Sequence, residues 1–249
     1  MKNNYFFKKP YSNIYKDSSG SSEVTSQILY GEKFKILSKS KNWINIKLIF
    51  DDYIGYMKNR YFLNDHKITH KVSVLKANIF DKLNNKTKYF LPFASRVSII
   101  KKNKKFIEFE KNRWLKKNDL KKIEHVEKDF TKIVKLFLGT RYVWGGKTYA
   151  GIDCSALLQI IFLYNNKFYP RDTGDQLKFH RKNKNSKIFK KGDIIFWKGH
   201  VAICLNKKFL IHAYGPKKKV IIMSIKTTIL EIKEKSKLNV IGTKSINDI

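Results

Sequence analysis

The sequence predicts an α+β domain over its carboxyl-terminal half, preceded by two small β-barrels. Three observations carry this expectation. Short apolar runs alternate with period two from about Ser12 to Asn64, and more loosely from Lys71 to Leu120. From about Glu124 the apolar period becomes helical. After Gly192, apolar strand-like runs return, so helices precede a sheet. The expected domains are residues 1–65, 66–123 and 124–249.

In the first segment, Gln27 to Glu32 leads into a turn, and Lys33-Phe34-Lys35-Ile36-Leu37 alternates as a half-buried strand does. Trp43 to Leu48 alternates again. Asp51-Asp52 marks a turn before Tyr53-Ile54-Gly55-Tyr56-Met57. Several short strands at this spacing suit a small barrel. In the second segment, Val72 to Leu75, Ser95 to Ile100, Phe106 to Phe109 and Trp114 to Lys116 read as strands of a diverged copy. Phe130, Ile133, Val134, Phe137 and Leu138 lie on one helical face, and Gly139 stops that helix. A glycine-bearing loop follows. Cys154 to Tyr164 then reads as a helix buried on most faces, with Asp153 as its cap. Ile194 to Trp197, His200 to Leu205 and Phe209 to Ala213 are the expected strands of the sheet.

The formal net charge is +33, which at first suggests nucleic acid. Of the 53 basic residues only six are Arg, and the Lys residues are spread along the chain. Base readers favour Arg, and basic arms cluster. Codon bias and a solvated surface therefore explain the charge better, and no nucleic-acid partner is expected. The two cysteines form no CxxC pair, so no metal and no cofactor are expected. Met1 to Asn13 lacks an apolar run of signal-peptide length, and no stretch reaches membrane-spanning length. A cytoplasmic location is the default expectation.

Cys154 opens a helix, where first-turn N–H groups and the helix dipole favour a thiolate. His200 opens one predicted strand and His212 lies in the next, so a hairpin would set them side by side. A thiol nucleophile needs a base, and the base needs an orienting partner. His212 can supply the latter. Cys204, between Ile203 and Leu205, reads as structural. Trp144 reads as packing. His66, His70, His125 and His180 sit in Lys-rich surroundings and read as incidental.

The blocks Tyr142-Val143-Trp144-Gly145-Gly146, Gly151 to Leu157, Pro170-Arg171-Asp172-Thr173 with Gln176, Gly192 to Trp197, His200 to Ile203, and Ile211-His212-Ala213 together resemble the NlpC/P60 cysteine peptidase signature over about 90 residues. The amino-terminal segments resemble bacterial SH3-like (SH3b) domains, most clearly in Ser22-Glu23-Val24, Ser26 to Glu32 and Asp52 to Tyr56. The resemblance implies a papain-like NlpC/P60 domain behind two SH3-like barrels, as in γ-D-glutamyl-L-diamino acid endopeptidases. It implies Cys154 as nucleophile, His200 as general base and His212 as its orienter. It also implies that Tyr142 helps the Cys154 N–H bind the oxyanion. The expected substrate is a small muropeptide with a free N-terminal L-Ala. Tyr53 and Glu23 of the first barrel would meet that end, while Asp153, Ser155, Thr173 and Arg171 would make further substrate contacts. Tyr53 could equally be barrel core, Glu23 a solvated charge, Asp153 only a cap, and Arg171 only a loop anchor. Rival expectations are an amidase or acyltransferase on the same scaffold, or a non-catalytic SH3b protein that binds the cell wall.

Overall fold

The computed structural model describes residues 4–59, 62–82, 85–180 and 188–248. The chain divides into two compact units. The first comprises Met1–Glu127 with Leu163–Lys167, and the second comprises Lys128–Phe162 with Phe168–Ile249.

Among its described residues, the first unit is β apart from one 3₁₀ turn and the short returning segment. Strands β1 (Asn4–Phe7), β2 (Tyr11–Tyr15), β3 (Val24–Leu29), β4 (Lys33–Lys39), β5 (Trp43–Leu48), β6 (Ile54–Lys58) and β7 (Phe62–Leu63) form one sheet, in the order β3-β2-β6-β5-β4-β1-β7. Period-two alternation sends Ile44, Ile46 and Leu48 of β5 inward. They pack with Phe7, Ile14, Ile28, Phe34 and Met57 into one core. Gly55 is required where β6 crosses β2, because a Cβ there would lie 2.4 Å from Ile14 Cγ2.

The next stretch holds β8 (His70–Val72), β9 (Lys76–Lys82), β10 (Asn85–Pro92), β11 (Arg96–Val97), β12 (Lys101–Lys102), β13 (Phe106–Glu110), β14 (Arg113–Lys116) and β15 (Leu120–Lys122). They make a five-stranded sheet, β10-β9-β14-β13-β12, and a three-stranded one, β11-β8-β15. Their shared core holds Val72, Ile79, Leu91, Val97, Phe109 and Leu115, and Tyr30 joins it from the preceding segment. The Tyr30 hydroxyl donates to Glu110 Oε1 at 2.9 Å. The expected strand from Ser95 to Ile100 is shorter than the sequence suggests. Only Arg96 and Val97 pair, against Lys71 and His70. Ala94 takes a positive φ of 66°, which bends the chain just before them. Val97 and Ile99 still face the core, so the alternation marks burial correctly where pairing fails.

The second unit begins with α1 (Phe130–Leu136), capped by Asp129, whose side chain accepts from Thr131 N–H at 3.2 Å. A small hairpin, β16 (Lys147–Thr148) and β17 (Gly151–Ile152), precedes α2 (Cys154–Tyr164). All eleven residues of α2 are buried, so it shows no polar face. Helix α3 (Thr173–Phe179) follows, then an antiparallel sheet. Its strands β18 (Asp193–Trp197), β19 (His200–Cys204), β20 (Phe209–Tyr214), β21 (Lys219–Ser224) and β22 (Val240–Ser245) take the order β21-β20-β19-β18-β22. Helix α4 (Ile225–Ser236) packs Ile225 and Ile232 into a core with Trp197, Ala202, Cys204 and Leu210. Among the described residues no helix is long and apolar enough to cross a membrane.

Candidate active site

The loop between α1 and α2 carries the first part of the site. Helix α1 ends at Leu136, and Gly139, at φ 80° in the turn that follows, donates to Val220 O at 3.0 Å. Tyr142 then donates its N–H to Lys218 O at 2.9 Å and lies beside Ile152 in an isolated parallel bridge. This sets Tyr142 against the strand that leads directly into Cys154. The charge of a Cys154 thiolate is felt at the Tyr142 hydroxyl. Burial first, and then the Cys154 and Asp153 charges, push the phenol well above its ordinary value. Tyr142 therefore keeps its proton and can donate a hydrogen bond throughout the working pH range.

Asp153 holds the mouth of α2. Its Oδ1 accepts from Ala156 N–H at 2.8 Å, which caps the helix, and from Ser155 Oγ at 3.1 Å. Its Oδ2 accepts from Gly145 N–H at 2.9 Å, and Gly145 sits at φ 73°, a backbone position suited to glycine. Arg171 grips both carboxylate oxygens, at 3.0 and 2.6 Å, and donates to Ser155 Oγ at 2.8 Å. Gln176 Nε2 donates to Ser155 O at 2.9 Å and Pro170 O at 3.0 Å.

Arg171 is 2% exposed, and its guanidinium holds Asp153 and Ser155, which favours the loop-anchor expectation over substrate contact. Asp153 and Ser155 are equally buried and belong to the same knot. Thr173 is partly buried at the first position of α3.

Cys154 is 4% exposed. Burial and the nearby Asp153 carboxylate push its thiol up to about 11, against the pull of the Val201 and Ser155 N–H groups and Arg171. Burial therefore opposes the resting thiolate that the helix dipole favours. Desolvation of the charged form outweighs the first-turn N–H groups. The influence of Val201 N–H also places the sulfur beside the strand that His200 opens.

The two histidines meet as the hairpin predicts. The register pairing Ile203 with Ile211 puts His200 and His212 on one face of adjacent strands. His200 Nε2 and His212 Nδ1 lie 2.9 Å apart. His212 is 1% exposed and stacks on Tyr214 at 4.6 Å between centroids. Burial lowers His200 to about 4, and burial together with the His200 charge lowers His212 well below its ordinary value. Both imidazoles are neutral at pH 7, and a neutral imidazole is the form that can accept a proton.

Tyr53 and Glu23 lie in the first unit. Tyr53 is partly exposed and packs on the barrel core, while Glu23 is exposed. Cys204 is fully buried in the core of the sheet. Trp144 is 56% exposed, although the sequence reading has it packed. His180 is not incidental. It is 4% exposed, shares a 2.8 Å hydrogen bond with the Tyr169 hydroxyl, and is lowered to about 4, chiefly by burial. The Lys-rich sequence around it concealed this. Sequence reasoning assigned no role to Gln176, Tyr214 or Met223. Only Gln176 carried a signal, as part of the resembling blocks.

A thiol at a helix mouth, a coupled imidazole pair and a protonated phenol beside the thiol define a cysteine hydrolase. Comparison with known proteins gives the family. Residues 139–236 match the NlpC/P60 family, and residues 14–60 match the bacterial dipeptidyl-peptidase SH3 domain. The chain carries an NlpC/P60 cysteine peptidase domain behind a bacterial SH3 domain.

It is 26% identical over 233 residues to the γ-D-glutamyl-L-lysine dipeptidyl-peptidase of Bacillus subtilis (strain 168), covering 84% of this chain and 78% of that one. It is 24% identical over 232 residues to dipeptidyl-peptidase 6 of Lysinibacillus sphaericus, covering 81% and 84%. The crystal structure of an NlpC/P60 family protein from Bacillus cereus ATCC 10987 shares its fold, with a TM-score of 0.81, 18% identity, and coverage of 97% and 98%.

Proposed function

We propose that this peptidase hydrolyses the γ-D-glutamyl–diamino acid bond of muropeptides bearing a free N-terminal L-Ala, in the cytoplasm. The observation that carries the reading is the 2.9 Å pairing of His200 with His212 beside the Cys154 helix mouth. Relatives named for cleaving γ-D-glutamyl-L-lysine, matched over most of the chain, support the bond chosen.

The reaction starts from a neutral thiol and a neutral imidazole. His200 takes the Cys154 proton as the sulfur attacks the carbonyl carbon. The Cys154 N–H and the Tyr142 hydroxyl receive the oxyanion, and losing one such donor costs ~10²–10³ in rate. His200 then returns the proton to the departing amine, leaving a thioester. Water, deprotonated by the same imidazole, releases L-Ala-γ-D-Glu and restores the thiol. His212 steadies the imidazolium formed in between. In the same proposal, Glu23 and Tyr53 receive the substrate's α-ammonium, and Asp153, Ser155 and Thr173 shape the nucleophile's surroundings. The division into residues 1–65, 66–123 and 124–249 is also proposed, with the middle segment as a second SH3b-like domain.

Purified protein incubated with L-Ala-γ-D-Glu-diaminopimelate should release the dipeptide and the diamino acid. Cys154→Ala should release neither while keeping the fold. An active Cys154→Ala protein overturns the mechanism. Equal cleavage of the N-acetylated substrate overturns the assignment of Glu23 and Tyr53, and favours an amidase on the same scaffold.

A further inference from the structure

Among the described residues, the outer nitrogen of the orienting histidine meets a sulfur and not a carboxylate, a carbonyl or an amide. His212 Nε2 lies 3.4 Å from the thioether sulfur of Met223. Met223 lies on β21 across from Leu210, two pairs away from the His212–Ile221 pair, so it shares the face that carries both histidines. A thioether sulfur has lone pairs and no proton, so it can only accept. This one-way contact has consequences along the whole chain of rings.

We propose that Met223 is a positioning residue that fixes the tautomer of both histidines. With Nε2–H of His212 donated to Met223 Sδ, His212 Nδ1 carries a lone pair. It must then accept from His200 across the 2.9 Å contact, so His200 carries its proton on Nε2. The lone pair of His200 is left on Nδ1, the nitrogen that must take the thiol proton.

In the opposite arrangement His212 Nδ1–H would donate to His200 Nε2. Two lone pairs would then face each other at His212 Nε2 and Met223 Sδ. His200 Nδ1 would also carry a proton and could not act as base. The sulfur thus selects the productive register from the far end of the relay. Tyr214, stacked on His212 at an interplanar angle of 13° and 5.7 Å from the His200 ring, restricts the tilt of both rings but has no part in the choice of tautomer.

This inference rests on the assignment of His200 and His212 to the catalytic relay, and its test separates the two. Nitrogen-15 spectra of the unmodified protein at neutral pH should show both His200 and His212 protonated at Nε2. A Nδ1-protonated His212 overturns the proposal whatever the substrate proves to be.

Met223→Leu keeps the volume and removes the acceptor. It should give mixed tautomers at both rings and lower kcat about tenfold, with KM unchanged. Selenomethionine at position 223, which keeps a proton-free acceptor on the same stem, should leave the spectra and kcat unchanged. Unchanged spectra and kcat in Met223→Leu overturn the proposal. If Cys154→Ala remains active while the spectra are as expected, the peptidase mechanism fails and the tautomer assignment stands.

Discussion

The resting charge of the nucleophile can be tested by titrating its alkylation with iodoacetamide from pH 5 to pH 10. Burial and Asp153 raise Cys154 from 9.0 to about 11. A two-unit rise cuts the thiolate fraction at neutral pH by roughly a hundredfold. The thiolate that remains is the stronger nucleophile, and a Brønsted slope of ~0.4–0.5 recovers about tenfold. The net expectation is a rate about tenfold below that of an ordinary thiol, before any loss from restricted access.

The pH profile is more informative than the absolute rate, because access is set by the fold and does not vary with pH. The logarithm of the rate should climb with unit slope across the whole range, as expected for a thiol that ionises near pH 11. A preformed thiolate–imidazolium pair would instead give a rate that is flat below pH 8. That plateau would refute the neutral resting pair. Rapid labelling is therefore a poor mark of catalysis here, since a competent enzyme with this geometry labels slowly.

Further outcomes follow from the same groups. His180 and His200 are both lowered from 6.5 to about 4, so folding favours their neutral forms. Stability is then complete above pH 6.5 and is lost as pH falls towards 4, because the unfolded chain binds the protons first. His180 and His200 both contribute to that loss. The melting temperature should drop steeply between pH 6.5 and 4, and a level profile would contradict the burial argument. Arg171→Met leaves the Asp153 carboxylate buried and uncompensated, which should cost about 3–5 kcal/mol by denaturant titration. A loss under 1 kcal/mol would mean that the pair is dispensable. Glu23→Gln and Tyr53→Phe should raise KM for the free-amine substrate with little effect on kcat, and an unchanged KM would remove both from recognition.

The sequence shows the catalytic helix clearly and the lysine-rich hairpin poorly. Cys154 to Tyr164 is legible because a run of apolar residues with an acidic cap has few other structural outcomes. Helix α4 is amphipathic, with Ile225, Thr228 and Ile232 buried, but its many lysines mask the stripe. Strands β9 and β10 are concealed in the same way. Ala77, Ile79 and Leu91 join the core from among Lys, Asn and Asp.

The meeting of His200 and His212 was legible because a hairpin between their two strands sets them side by side. Charge states were not, since they depend on burial that the sequence does not display. The inward turn of Arg171, the burial of His180 and the sulfur behind His212 share that origin. Each depends on how a side chain turns in the packed structure, and the local sequence pattern carries no trace of it.

The most direct test of the account is to trap the acyl-enzyme. Protein mixed with L-Ala-γ-D-Glu-diaminopimelate and quenched in acid should carry one L-Ala-γ-D-Glu acyl group, and peptide mapping should place it on Cys154. Loss of His200 should abolish the adduct. Product release with no adduct on Cys154, or an adduct on any other residue, would contradict the account.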